Sequence, residues 1–255
     1  MTDKAQSVRS RLVQLERLLL MLLLAVPLIP RAAAQRNSAG GLPGASCEEC
    51  CLWNQYDNAA TEPPISIGSQ KFEPAMAALD DQAADDFVFV GNTAHCITGV
   101  QVMGDYSVTG GPASSFNIYF YQNGAGNLPT YQIAAFENLP YTGMAPDFVI
   151  CLPSPFCVGS GTYWLSVQAN QDLNPSGQWF WHNRTVQRNA GAVWQNPGDG
   201  YGTGCIAWNR KIGCMLDQIW PDQVFKIFGF NEGPLPTPKP LPTPRPRPTP
   251  APRPQ

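Results

Sequence analysis

Ser115-Phe116-Asn117-Ile118-Tyr119-Phe120-Tyr121-Gln122 is the stretch that decides the fold class. Phe116, Ile118 and Phe120 recur at every second position with Asn117, Tyr119 and Tyr121 between them, which is the period of a half-buried strand and not of a helix. Turn chemistry bounds the run on both sides. Gly110-Gly111-Pro112 before it and Asn123-Gly124 after it supply the positive or fixed φ that hairpin connections need. The stretch Thr162 to Ala169 repeats the pattern, with Tyr163, Leu165 and Val167 expected inward and Trp164, Ser166 and Gln168 outward. In Gln178 to Asn183, Trp179 and Trp181 share one face, Phe180 and His182 the other.

Working outward, similar short runs rich in β-branched and aromatic residues are Phe87 to Val90, Cys96 to Met103, Tyr131 to Phe136, Asp147 to Leu152, Gly191 to Gln195 and Gln223 to Phe230. With no amphipathic helix among them, the pattern predicts an all-β fold, an antiparallel two-sheet β-sandwich of jelly-roll-like type over residues 56–232.

The ends of the 255-residue chain have a different character. Lys4, Arg9, Arg11 and Arg17 precede the apolar run Leu18 to Ile29, and Ala32, Ala33 and Ala34 offer a cleavage site before Gln35, so residues 1–34 read as a secretory signal peptide. The run is shorter than the roughly 20 residues a spanning helix needs. From Pro234 to Pro254 every even-numbered residue is proline, which predicts an extended polyproline II tail over 233–255, reaching roughly 70 Å at about 3.1 Å per residue. Lys239, Arg245, Arg247 and Arg253 would let it contact an anionic wall; the alternative is a solubilising end. Residues 35–233 carry 17 acidic against 7 basic side chains, which argues against a nucleic-acid partner.

All eight cysteines fall in the exported part, where disulfides are expected. Cys151 and Cys157 flank five residues and Cys205 and Cys214 a short basic segment, so each pair is expected to close a local loop. Cys47, Cys50, Cys51 and Cys96 are left without assigned partners, and the first three, in a Cys-rich segment over 35–55, could with His95 also be read as a zinc cluster.

Ala83-Ala84-Asp85-Asp86-Phe87, Gly161 to Val167, Arg184-Thr185-Val186-Gln187, Trp194-Gln195-Asn196-Pro197-Gly198 and Gly202-Thr203-Gly204-Cys205 form an ordered series. Over residues 56–230 it resembles an uncharacterised module of secreted bacterial proteins with Pro/Thr/Arg-rich tails. The resemblance implies a jelly-roll-like sandwich in an extracellular setting and no established reaction.

Chemistry could sit in three places. Asp80, Asp81, Asp85 and Asp86 are closely spaced hard oxygen ligands that could hold calcium as a cofactor; the alternative is that they keep a hydrophobic strand soluble. Trp164, Trp179, Trp181, Trp194 and Trp208 could stack on sugar rings, with Gln178, Asn183, Asn196 and Asp199 as polar partners, although a tryptophan in a sandwich is more often core. Asn196 to Gly204 lacks the Gly-Lys-Ser/Thr end of a phosphate loop and reads instead as a mobile loop closed by a Cys205 bridge. Asn183-Arg184-Thr185 is a glycosylation sequon in a eukaryotic setting. With only His95 and His182 as histidines, a nucleophile–histidine system has little to work with, and no catalytic residue is assigned. The expected function is a secreted, non-catalytic module binding a glycan or other envelope polymer. Alternatives are a self-associating structural wall protein and a calcium-dependent glycoside hydrolase using carboxylates.

Overall fold

The structure, a computed structural model, describes residues 47, 50–107, 110–214 and 218–234. The signal peptide expected over 1–34 and almost all of the proline-rich tail lie outside the described residues. Fifteen strands follow one another: β1 (Cys51–Gln55), β2 (Ser66–Gly68), β3 (Gln70–Lys71), β4 (Gln82–Phe89), β5 (Thr93–Tyr106), β6 (Ser115–Asn123), β7 (Pro129–Leu139), β8 (Tyr141–Met144), β9 (Asp147–Val158), β10 (Gly161–Asn170), β11 (Trp179–Arg184), β12 (Val193–Gln195), β13 (Asn209–Arg210), β14 (Asp222–Gln223) and β15 (Phe225–Pro234). Two single α-helical turns, α1 (Leu173–Ser176) and α2 (Lys211–Cys214), and two 3₁₀ segments, Pro74–Leu79 and Ala125–Asn127, interrupt them.

The strands form an eight-stranded and a seven-stranded sheet. The first runs β1-β15-β5-β11-β14, with β9 also on β5, β8 on β9 and β2 on β11; the second runs β13-β12-β4-β10-β6-β7. All pairings are antiparallel except a two-residue contact of β3 with β10. Each of the nine expected runs is a strand. The six others, β1, β2, β3, β8, β13 and β14, are five residues or shorter, too brief to show a period.

Alternation places the faces as the sequence predicts. Phe116, Ile118 and Phe120 of β6, Leu165 and Val167 of β10, Phe87 and Phe89 of β4, and Trp179 and Trp181 of β11 all join one core cluster. Burying each such side chain contributes roughly 1.5–3 kcal/mol. Tyr119, Tyr121 and Trp164, on the opposite faces of β6 and β10, form a smaller cluster with Ala84 and Val193.

Three disulfides lock this arrangement: Cys47–Cys151, Cys96–Cys157 and Cys205–Cys214. The last is the expected local bridge, but Cys151 and Cys157 are not bonded to each other. Both sit on extended β9, where six residues span about 20 Å, far beyond disulfide reach. Instead β9 offers Cys157 to Cys96, its register partner on β5, and Cys151 to Cys47. A Cβ on Gly99 would lie 2.5 Å from the Cys47 sulfur, so glycine there makes room for the crossing.

These bonds take Cys47 out of the zinc reading, and His95 is buried, its ring stacked on Phe89 at 4.4 Å. Cys50 and Cys51 are exposed and have no disulfide partner among the described residues. The stretch set apart as a Cys-rich segment over 35–55 also contributes to the sandwich, because β1 pairs with β15 and Trp53 enters the core. Three disulfides fit an oxidising, extracellular environment. No helix among the described residues is long and apolar enough to cross a membrane.

Candidate functional site

The tryptophans expected to form a stacking platform are interior. Trp164, Trp179, Trp181 and Trp194 are fully buried. Trp181 Nε1 donates to the Val224 carbonyl at 2.9 Å and Trp194 Nε1 to that of Gly68 at 3.1 Å. Trp164 does face away from the main core, as alternation requires, but Arg210 lies over its ring. Trp208 alone is partly exposed, edge-on to Tyr121 at 5.4 Å.

The expected polar partners mostly have structural duties. Asn196 is buried and donates to the carbonyls of Ala78 and Asp80, each at 2.8 Å. Asp199 is exposed and accepts from the Gly204 N–H, and Gln178 donates to the Tyr201 hydroxyl. The loop they frame is pinned along its length, since Gly200 N–H donates to the Ala78 carbonyl and a Cβ on Gly200 would collide with that oxygen. Asn183 is fully buried, so its sequon is no surface acceptor.

The four aspartates expected to hold calcium do not converge. Successive residues of a strand face opposite ways, which sends Asp85 into the sandwich and Asp86 out of it. Each already accepts N–H groups: Asp80 from Phe72 at 2.8 Å, Asp81 from Gln70 at 2.6 Å, Asp86 from Ala190 at 3.2 Å. Burial pushes the Asp81 carboxyl up to about 8 and that of Asp86 up to about 6. One grouping of ligand-type side chains exists among the described residues, Cys96, Cys157 and Glu232. Its two sulfurs are joined to each other, which removes the thiolates a metal would need.

Asp85 instead anchors a polar region inside the sandwich, where β1, β4, β11, β14 and α2 meet. It accepts from Gln55 Nε2 and Gln223 N–H, both at 2.7 Å, and from the Asp86 N–H at 2.8 Å. Fully buried Lys211 reaches in from α2, and its Nζ donates to Asn183 Oδ1 and the Asp222 carbonyl, each at 2.7 Å, and to Gln223 Oε1 at 2.5 Å. None of the ion pairs among the described residues includes Lys211. Burial, followed by the nearby Asp222 charge, raises the Asp85 carboxyl well above its ordinary range. Burial also lowers the Lys211 ammonium, against the pull of Asp85 and Asp222.

The open site lies on the other side of β4. A cleft of about 380 Å³ is lined by Asn127, Gln187, Asn189, Arg210, Ile212 and Pro221, together with residues 190–192. Arg210 builds its wall: Nη2 donates to the carbonyls of Gly126 and Asn127 at 3.0 and 2.8 Å, and Nη1 to that of Gly191. Thus the guanidinium straps two loops together and its donors are largely spent. Asp86 stands behind Ala190, and its second oxygen is buried without a hydrogen-bond partner among the described residues. Ile212, more than half exposed, offers an apolar surface. The cleft therefore presents amides and an apolar patch on a wall that Arg210 holds fixed.

None of the residues expected to carry function lines this cleft; Asp86 and Trp164 lie behind its wall, against Ala190 and Arg210. Asn127 comes from the β6–β7 connection, Gln187 and Asn189 from the β11–β12 connection, Ile212 from α2 and Pro221 from the residues just before β14, and no local spacing in the sequence marks them as neighbours. No family model, curated protein or solved structure matches the chain.

Proposed function

We propose that the protein is an extracellular, non-catalytic recognition module that holds a polyhydroxylated ligand, a glycan of the surrounding wall or matrix, in the cleft around Asn127, Asn189 and Ile212. The observation that carries this reading is the lining itself, three amide side chains beside Ile212 and Pro221. Amides donate and accept together, as sugar hydroxyls require, and an apolar patch suits the C–H face of a sugar ring. The volume falls at the small end of ligand pockets, fitting one or two sugar units.

The test is retention of the full, oxidised protein on immobilised polysaccharides, compared with Ile212→Arg, which places a long side chain in the cleft mouth. Selective retention of the wild type, lost in the variant, is the expected result. Retention should be indifferent to a calcium chelator, because the four aspartates already serve N–H donors. Failure of the folded wild type on every polymer would overturn the reading.

A second reading, a self-associating structural protein, is favoured by β7. This eleven-residue strand ends the seven-stranded sheet, with Tyr131 and Ile133 exposed. An open edge is a template for pairing with a second copy. Concentration-dependent sedimentation that Tyr131→Lys abolishes would support it over the first.

A further inference from the structure

We propose that Lys211 and Asn183 join covalently, as an amide between Nζ and Cγ, so that the sandwich makes its own crosslink between α2 and β11. The inference stands on contact and enclosure. Nζ lies 2.7 Å from the Asn183 side-chain oxygen, and both residues are fully buried, so an amine and a carboxamide are held together away from water. Such enforced proximity is the main requirement for amide exchange between two weakly reactive groups.

The step balances without any co-reactant. The Nζ lone pair forms the bond to Cγ, the Cγ–Nδ2 bond breaks, and a proton lost by Nζ is taken up by Nδ2, which departs as ammonia. No electrons leave or enter the protein. Burial favours the uncharged amine that must attack. Asp85, which burial holds towards its neutral acid form and whose charge acts on the Lys211 amine, is the acid–base group placed to carry the proton.

Gln223 is the competing carboxamide, because its Oε1 also accepts from Nζ. The leaving nitrogen distinguishes the two. Asn183 Nδ2 is gripped by two acceptors, the Pro64 carbonyl at 2.8 Å and Gln218 Oε1 at 2.9 Å, which stabilise the positive charge that grows on it as it is protonated. Gln223 Nε2 has one long contact, 3.4 Å to the Trp181 carbonyl. Asn183, next to last in β11 and register partner of Gln223 on β14, is fully buried.

The consequence is mechanical. Lys211 belongs to the turn that packs on β12 and β13 of one sheet, whereas Asn183 belongs to the other, so the amide would tie the two layers together. Unlike the Cys205–Cys214 bridge on the same turn, this tie would survive reduction.

The experiment is peptide mapping by tandem mass spectrometry of the full, folded protein after reduction and digestion. The expected result is a branched peptide joining the segments around residues 183 and 211, lighter by one ammonia than its two parts, and absent from Lys211→Arg. Intact mass alone does not decide, because an N-terminal glutamine at Gln35 can lose the same mass by cyclising. Linear peptides with unmodified Lys211 and Asn183 from folded wild-type protein would overturn the proposal, and a branch at Gln223 would overturn the choice of Asn183. The wild-type map is decisive even where Lys211→Arg fails to fold.

Discussion

Two adjoining parts of the interior are built on opposite terms. Along β4 the inward positions run Asp85, Phe87, Phe89, so two residues separate a region of hydrogen-bonded polar side chains from a region of packed rings. Around Phe87 and Phe120 the contacts are ring against ring: Phe87 meets Phe120 edge-on at 6.2 Å, and Phe120 stacks on Phe156 at 5.0 Å. Around Asp85 every contact is a hydrogen bond with one particular partner. Burial of apolar area is non-directional and tolerates exchange of one hydrophobe for another. A dry polar region tolerates none, because each donor left behind keeps its full desolvation cost.

The largest effect should therefore come from apolar substitutions of similar size in the two places. Asp85→Leu strips acceptors from Gln55 Nε2 and from the Gln223 and Asp86 N–H groups and should cost about 4 kcal/mol, because three buried donors are left unpaired at roughly 1–3 kcal/mol each. Ile118→Leu, in the ring-packed region, should cost about 1 kcal/mol. Urea unfolding midpoints at constant slope measure both. Equal costs would mean that the two regions do not differ in the way their contacts suggest.

The same contrast decides what the sequence could reveal. Periodicity and composition report strands and which face a residue occupies, so they found nine of the strands, every one longer than five residues among them, the sandwich and the inward sets of β6, β10 and β11. They carry no information on which polar side chains meet across the interior. Lys211 reads as part of a basic, cysteine-flanked segment, and only the fold shows it turned inward to Asn183 and Gln223. The disulfides fail for a related reason: Cys151 and Cys157 are close in sequence, but an extended strand holds them apart and hands each sulfur to a different neighbour. The tryptophans mislead in the other direction. Alternation correctly sends Trp164 outward, yet Arg210 of β13 and Trp208 just before that strand cover that face.

The next effect in size is the response to pH, which the aromatic region lacks. The folded state raises the carboxyls of Asp81 and Asp86 from 3.8 to about 8 and about 6, so it holds their protons more tightly than the unfolded chain does. Their contribution is complete below about pH 4 and is lost as pH rises through those folded values. Stability should therefore fall steadily as pH rises from 4 to 8, and Asp81→Asn, which keeps an oxygen for the Gln70 N–H, should flatten the curve. Lys211, if uncrosslinked, acts with the opposite sign. Its ammonium is lowered to about 7, so its contribution is present above its unfolded value of 10.5 and is lost as pH falls through 7. A stability curve that climbs from pH 7 towards 10 would show a free amine, whereas an amide at Nζ has no such limb.

The smallest effect tests the rule on a pair of fully buried serines, Ser166 on β10 and Ser69 between β2 and β3. Ser69 Oγ donates to the Val167 carbonyl at 2.6 Å and accepts from the Ala83 N–H at 3.0 Å, tying β10 and β4 to the short segment between β2 and β3. Ser166 Oγ has no hydrogen-bond partner among the described residues. Ser69→Ala should destabilise the protein by about 1–2 kcal/mol, because it leaves the Ala83 N–H and the Val167 carbonyl with less than they had. Ser166→Ala removes a hydroxyl that was desolvated for nothing and should stabilise it by about 1 kcal/mol. The two substitutions delete the same atom, so opposite signs in unfolding experiments would show that the partner, not the polarity of the group, sets the energy. If both destabilise alike, Ser166 has a bond that the fold alone does not display, and its outer face beside Tyr119 becomes the place to look for it.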